Sequence, residues 1–490
     1  MGFGEASPAP EQGRGLTSMD LVTLSIIIAA VAAFGSVAVW QHRLERVRDA
    51  EAEKKLKEQL KNAKELGADK AVAQHSHIHQ DKCIGCGSCV LACHEGDVLS
   101  VVSGLARVVH ASHCIGCGKC EAACPVCAVE VGLGDVSDRP DIPILSPELE
   151  SSIPGLYIAG ELGGMALVKN AIEQGKLAAD AIARRLKAEP APKIPGVHDI
   201  LVVGVGPAGL SALFRAVELG LDYAAVSLDD VGGTVLKYPR RKLTLVQGVQ
   251  MPLYGKIKEG EYFKEKLLKM WGDVVCKHGI KIQINAAVEM ITPVDGILET
   301  KTSAGSFKSR FVVMALGRRG SPRKLGVPGE AAQHVLYELA DAAALQGQKA
   351  LVVGGGNSAV EAALGLAAQP GNYVVLSHRK NEFSRLTSIN KSRLEKAVAE
   401  GRLHLLLSSQ VKLIETKKVV LHSCDPGGGE MPHLENDWVF VCAGGDPPFP
   451  LLHKIGVKFG KAPGSETPES PAGENEKPRG GGAPPAKETP

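Results

Sequence analysis

Residues 21–40, LVTLSIIIAAVAAFGSVAVW, run for twenty positions without a charged side chain. A helix of that length crosses about 30 Å of hydrocarbon, so the pattern predicts one transmembrane helix. Its flanks differ. The N-terminal tail, 1–20, carries Arg14 as its one Lys or Arg, whereas 41–61 carry Arg43, Arg46, Arg48, Lys54, Lys55, Lys57 and Lys61. The positive-inside rule then predicts a single-pass protein of the inner (cytoplasmic) membrane with its catalytic domains in the cytoplasm. A cleaved signal peptide would begin with bases, and Glu5, Glu11 and Asp20 stand there instead. Over 41–75, acids and bases alternate around Leu44, Val47, Leu56, Leu60 and Leu66, with Glu51/Lys55 and Glu53/Lys57 four residues apart. This predicts a charged, solvated helical stalk. His75, His77 and His79 close it; without a second ligand group they read as a polar linker rather than a metal site.

Further along, the apolar pattern switches period. DVLSVVSGLARVV (97–109) alternates and breaks at Ser103-Gly104, which predicts a hairpin. Two stretches, DILVVGVGPAGLSALFRAVELGL (199–221) and ALVVGGGNSAVEAALGLA (350–367), each run from an apolar strand through a glycine turn into a helix. Residues 461–490 have Pro or Gly at 12 of 30 positions and no large apolar side chain, so they predict a disordered tail.

Composition narrows the options. At 490 residues the chain exceeds one core, and 56 Lys plus Arg against 54 Asp plus Glu give a net charge of +2, so no nucleic acid is implied. Nine of the twelve cysteines fall within 83–127. Cys83, Cys86, Cys89 and Cys93 follow C-x₂-C-x₂-C-x₃-C, and Cys114, Cys117, Cys120 and Cys124 repeat it, with Pro125 next and Cys127 surplus. Gly85, Gly87, Gly116 and Gly118 allow the tight loops that let thiolates converge on an iron–sulfur cube; zinc is the competing assignment for four thiolates.

Over 76–135 the chain resembles bacterial ferredoxins with two [4Fe–4S] clusters. The resemblance implies Cys83, Cys86, Cys89 and Cys124 for one cluster and Cys114, Cys117, Cys120 and Cys93 for the other. Cys93 is followed by His94 where that family has proline.

In the two dinucleotide loops, Gly204, Gly206 and Gly209, and later Gly354, Gly356 and Ser358, suit a pyrophosphate resting on a helix N-terminus. With Gly232, Gly233 and Thr234, and FVVMALGRRGSPRKLGVPGE (311–330) containing Gly317, the pattern over 196–450 resembles thioredoxin-reductase-like flavoproteins. That resemblance implies FAD at the first loop and NAD(P)H at the second. His378, Arg379, Lys380 and Arg385 stand where an NAD enzyme usually places an acid, and favour the 2′-phosphate of NADPH over NADH. The acid for the FAD ribose falls at Ser227, with Asp229 two residues on. The family's C-x-x-C dithiol is missing; Cys276, Cys424 and Cys442 are isolated and read as core thiols.

GLYIAGELGG (155–164) and NAIEQGKLAADAIA (170–183) resemble that family's closing flavin segment, with Glu161 after Gly160 for the usual Asp and a helix end near Gly163, Gly164 and Met165. Here the segment precedes the first loop, which implies a circularly permuted flavin domain. The predicted fold class is α/β: two Rossmann-like domains for FAD and NAD(P)H, a small α+β ferredoxin domain and one transmembrane helix. Its parts are the tail 1–20, membrane helix 21–40, stalk 41–75, ferredoxin domain 76–135, closing segment 136–190, FAD domain 196–330, NAD(P)H domain 331–445, the end of the reductase fold 446–460 and the tail 461–490. The predicted function is a membrane-anchored flavin and iron–sulfur oxidoreductase exchanging electrons with a redox partner protein or small acceptor, with a homodimer as its candidate assembly. Two alternatives are an NADPH-dependent reductase of a small disulfide, with Tyr238 near the flavin, and a non-catalytic membrane-tethered redox sensor or adaptor.

Overall fold

The computed structural model describes residues 21–460 apart from 67, 72, 138, 191 and 319. The predicted tails, 1–20 and 461–490, lie outside the described residues. The chain divides into two compact units, one holding the residues up to Val131 together with Lys380–Lys396, the other Gly132–Arg379 and the residues from Ala397.

In the first unit, a single helix runs over Leu21–Leu66. By length and composition it can cross a membrane, and its apolar half is exposed at Ile26, Phe34 and Trp40. The second half departs from the solvated stalk predicted for it. Leu56 and Ala63 are buried, and Leu56 packs with Ala52 on Val102 and Val109. The alternating charges concealed an apolar edge that binds a hairpin. That hairpin pairs Leu99–Val102 with Leu105–Val108, turning at Ser103 and Gly104, both at positive φ as a two-residue hairpin turn requires. The predicted polar linker at the histidines is likewise a strand: His75–Ile78 pairs with Val129–Gly132. Its histidines are placed by backbone pairing; His79 faces Glu130, with 3.3 Å between Nε2 and Oε2.

The second unit is built on two sheets, one mixed and one wholly parallel. In the first, Val197–Val203 pairs in parallel with Tyr223–Val226 on one side and Gly305–Met314 on the other. Leu156–Ile158 then adds in parallel to Gly305–Met314, with Val312 opposite Leu156. An antiparallel hairpin, Val288–Val294 with Ile297–Thr302, extends the lower part of Gly305–Met314. Helix Val168–Ala188 lies on helix Pro207–Glu218, where a Cβ on Gly175 would come within 2.0 Å of the Ala208 carbonyl oxygen. The Ser211 hydroxyl donates to the Ile172 carbonyl at 2.6 Å across the same contact.

The second sheet is parallel throughout, in the order Val335–Leu336, Trp438–Val441, Lys349–Val353, Tyr373–Ser377 and His404–Leu406. A three-stranded antiparallel layer, Ser409–Ile414, Lys418–Ser423 and Leu434–Glu435, covers it through Val411, Ile414, Val419 and Leu421. The chain crosses between the two sheets along a short antiparallel pair, Ser321–Pro322 with Gly445–Asp446. Arg323 clamps this crossing through Asp446 at 2.9 Å.

Candidate functional site

Two cysteine loops are built alike. Gly85 and Gly116 share φ of 67°, Gly87 and Gly118 share φ of 75°, and each second glycine opens a short helix, Ser88–Ala92 or Lys119–Ala122. A side chain at Gly85 would strike the Gly104 carbonyl and one at Gly116 the Gln74 side chain. Backbone N–H groups point at sulfur: Ala106 at Cys83 (3.3 Å), Gly116 at Cys114 (3.4 Å) and Ala128 at Cys124 (3.2 Å). Ser76 Oγ lies 3.3 Å from the Cys120 sulfur.

Burial pushes the Cys89, Cys93 and Cys120 thiols up, whereas hydrogen bonding to Ser88 holds Cys86 down. Charge on neighbouring sulfurs adds to the upward shifts. Cys83, Cys86, Cys89 and Cys124 also line one recess. The first run thus lends three sulfurs, and the second run one, to that recess.

The first dinucleotide loop follows strand Val197–Val203. A Cβ at Gly204 would lie 2.7 Å from the Ala315 carbonyl oxygen, and one at Gly209 only 1.7 Å from that of Gly204. At Gly206 nothing lies within 4 Å, and the helix behind it has no side-chain cap. Two glycines are thus required by packing, and the third leaves open space before an uncapped helix start. Gly233 abuts the Gly206 backbone, and Thr234 Oγ1 would lie 4.0 Å from a Cβ at Gly317, so both segments border this loop. Gly160 borders it too, 3.0 Å from the Ala208 Cβ by the same measure.

Ser227 is buried and uses its N–H on the Gln283 carbonyl. Asp229 pairs with Lys237 at 2.7 Å. The helix after Gly160 starts later than predicted: a 3-10 turn spans Glu161–Gly163, and Val168 opens the helix. Gly164 (φ 92°) and Leu167 (φ 81°) interrupt helical geometry between them.

The second loop repeats the arrangement with Gly354 against the Cys442 carbonyl oxygen and an open Gly356 before helix Asn357–Ala367. Ser358 is exposed in its first turn. The His378 ring covers Gly355, where a Cβ would come within 2.1 Å of it. Of the four basic residues predicted here, His378 and Arg379 belong to the second unit, while Lys380 and Arg385 belong to the first. Arg379, Lys380 and Arg385 are exposed.

Two cysteines read as core thiols are not. Cys276 and Cys424 are exposed and Cys442 is half-buried, because Cys276 sits on the solvent side of its helix beyond Val274 and Cys424 follows the strand end at Ser423. Tyr238 packs on the core of the first sheet, with Lys242 Nζ 4.9 Å from its ring centroid and also paired with Glu361 at 2.5 Å. Sequence reasoning missed that Glu361 contact and the Asp141–Arg318 pair at 3.0 Å, whose partners are 177 residues apart. An arginine directly after Gly317 was the one hint of the latter.

Two sheets that each lead into a glycine loop, together with eight thiols in two like-built runs, define a dinucleotide-binding redox protein with an iron–sulfur module. Residues 201–466 match the pyridine nucleotide-disulphide oxidoreductase family, and the chain belongs to it. Residues 75–125 match the 4Fe-4S dicluster domain. The chain is 30% identical over 266 residues to the ferredoxin–NADP reductase of Ignicoccus hospitalis, covering 51% of this chain and 78% of that protein. It is 26% identical over 278 residues to the bacilliredoxin reductase Bdr of Bacillus subtilis, covering 54% and 82%. Among solved structures, the bacillithiol disulfide reductase Bdr of Staphylococcus aureus aligns at 22% identity and a TM-score of 0.47 over 53% of this chain and 80% of that one. The protein is a flavin-dependent NAD(P)H oxidoreductase with a 4Fe–4S ferredoxin domain.

Proposed function

We propose that this chain is a membrane-anchored oxidoreductase that passes electrons between NAD(P)H and an external acceptor through FAD and two [4Fe–4S] clusters. The observation that carries it is the cysteine inventory. Eight thiols form two cluster cradles, while Cys276, Cys424 and Cys442 offer the flavin no paired dithiol. When bound, FAD exchanges hydride with the nicotinamide and the clusters accept electrons singly, which replaces the thiol–disulfide exit. The relatives named ferredoxin–NADP reductase support an iron–sulfur partner for such a flavin.

In this proposal Gly204, Gly206 and Gly209 hold the FAD pyrophosphate, with Gly232, Gly233, Thr234 and Gly317 around it and Asp229 toward the ribose. Gly354, Gly356 and Ser358 hold the nicotinamide dinucleotide, and the basic stretch His378–Arg385 selects its 2′-phosphate. Residues 136–190 act as the flavin domain's permuted closing segment. Parallel pairing of Leu156–Ile158 with Gly305–Met314 and the Gly175–Ala208 approach support this, and the family match begins only at 201. The apolar half of helix Leu21–Leu66, with the bases that follow it, supports a single span with the domains on the cytoplasmic side.

Anaerobic titration of the full protein with NADPH and then NADH, read by visible absorbance and electron paramagnetic resonance, tests the electron path. Bleaching of the flavin followed by cluster signals is the expected result. Reduced flavin beside clusters that stay silent defeats the proposal, and NADPH consumption driven by a small disulfide would favour direct disulfide reduction.

A further inference from the structure

Residues 380–396, which follow strand Tyr373–Ser377 in the chain, fold into the same compact unit as the two cysteine runs. Within that unit, two points of the stretch are held by residues that flank cysteines. The Ser388 N–H donates to Glu95 Oε2 at 3.0 Å, and the Ser388 hydroxyl donates to the Glu95 carbonyl oxygen. Glu95 stands two residues after Cys93. Four residues before Ser388, the Ser384 carbonyl oxygen accepts from the Ser112 hydroxyl at 3.0 Å and lies 3.2 Å from His113 Nε2. His113 immediately precedes Cys114, and its own Nδ1 lies 2.8 Å from Asp97 Oδ2.

Ser388 opens helix Ser388–Ala399, so its N–H has no partner inside that helix. Glu95 is 6% exposed, and a carboxylate so buried is costly unless it is hydrogen-bonded. Each therefore needs the other. Leu386, between the two held points, is buried, as are Asn390 and Leu394 beyond them, so the stretch is fixed by packing as well as by hydrogen bonds.

The two flanked cysteines belong to different runs, yet the ferredoxin resemblance gives both to one cluster, together with Cys117 and Cys120. We propose that residues 384–388 brace the cluster of the second cysteine run: one short segment grips Glu95 at one end and Ser112 and His113 at the other, and so sets the spacing between Cys93 and Cys114. Glu95, Ser112 and Ser388 are positioning residues for that cluster. This rests on the reading of the eight thiols as two [4Fe–4S] cradles with crossed ligands. Groups that orient the ligands of a metal centre tune its affinity and its electronic properties, so a loosened brace acts on this cluster and spares the other.

The test uses the full, cluster-loaded protein under anaerobic conditions, partly reduced with dithionite and read by electron paramagnetic resonance. Cys86→Ser and Cys117→Ser assign the two signals to the first and second runs. Ser112→Ala and Ser388→Ala each delete one hydroxyl bond, from opposite ends of the brace. Each should speed loss of the second-run signal to a ferrous chelator by about fivefold, the worth of about one hydrogen bond, and should shift the g values of that signal. The first-run signal should keep its shape and decay within about twofold of the wild-type rate. Glu95→Gln keeps an oxygen for the Ser388 N–H and should stay close to wild type, whereas Glu95→Ala should behave like Ser388→Ala. If these variants leave the second-run signal unchanged, or speed the loss of both signals equally, the segment does not brace that cluster and the proposal falls while the two clusters stand. If Cys93→Ser and Cys117→Ser silence different signals, the crossed assignment fails and the proposal with it.

Discussion

At the scale of single residues, the sulfurs and glycines carry the most specific expectations. The crossed arrangement that the ferredoxin resemblance implies gives Cys93 to the cluster of the second run, so Cys93→Ser should lose that cluster and spare the one of Cys83, Cys86 and Cys89. Iron content near half of wild type with one surviving paramagnetic signal checks this; loss of the first-run cluster alone would refute the crossed arrangement. The glycines of the first loop separate packing from ligand binding. Gly209→Ala puts a methyl 1.7 Å from a carbonyl oxygen and should cost several kcal/mol, seen as a lowered Tm and empty flavin site. Gly206→Ala meets no protein atom within 4 Å, so it should fold normally and lose FAD affinity only. Equal melting temperatures for both variants would contradict this division. Spacing alone singled out the eight thiols because cluster geometry fixes it. The exposure of Cys276 and Cys424 was not legible, since which side of a helix or strand end meets solvent depends on partners far away in sequence.

Among elements, the strand and helix at 156–188 show how chain order and spatial order come apart, since Leu156–Ile158 pairs with Gly305–Met314. Strand–glycine–helix patterning marked the segment, because a buried parallel strand and a small-residue helix face read the same wherever they lie in the chain. The helix start at Val168 was not legible, since the positive φ of Leu167 has no side-chain signature. Asp141, ahead of this segment, is held to Arg139 and, beside Gly317, to Arg318, whose side chain is 10% exposed. Burial alone would raise the Asp141 carboxyl, but these guanidinium bonds outweigh it and hold the carboxyl below its usual range. A carboxylate with a depressed folded pKa contributes stability above the ordinary aspartate pKa, and that contribution disappears as pH falls through the depressed value. Asp141→Asn should therefore lower Tm at pH 7, and the gap to wild type should close below about pH 4. A gap that is constant from pH 7 to pH 3 would count against the ion pair as its source.

For the molecule as a whole, the consequential feature is that the apolar segment and the dicluster module are joined by unbroken helix. From Trp40 to Leu56 the helix rises about 24 Å at 1.5 Å per residue, and at Leu56 it packs on the hairpin that separates the cysteine runs. Domain order along the chain was legible from motifs, but this rigid joint was not: the alternating charges of 41–65 describe the helix surface and hide the two buried positions, Leu56 and Ala63. Nor could the sequence show that 380–396 folds with residues almost 300 positions earlier, because a polar stretch after a Rossmann strand reads as nucleotide contact alone. The joint separates two roles for one helix. Removing residues 1–40 deletes the proposed span but keeps the Leu56 contact, so the shortened protein should leave the membrane fraction while retaining wild-type flavin and iron. Leu56→Asp should do the opposite: the protein stays with the membrane, and the buried unpaired charge loosens the hairpin and lowers cluster content. Fractionation with iron and flavin analysis of both variants checks the pair. If the shortened protein still sediments with membranes, residues 21–40 are not what holds it there; if Leu56→Asp keeps its full iron content, the helix does not brace the clusters.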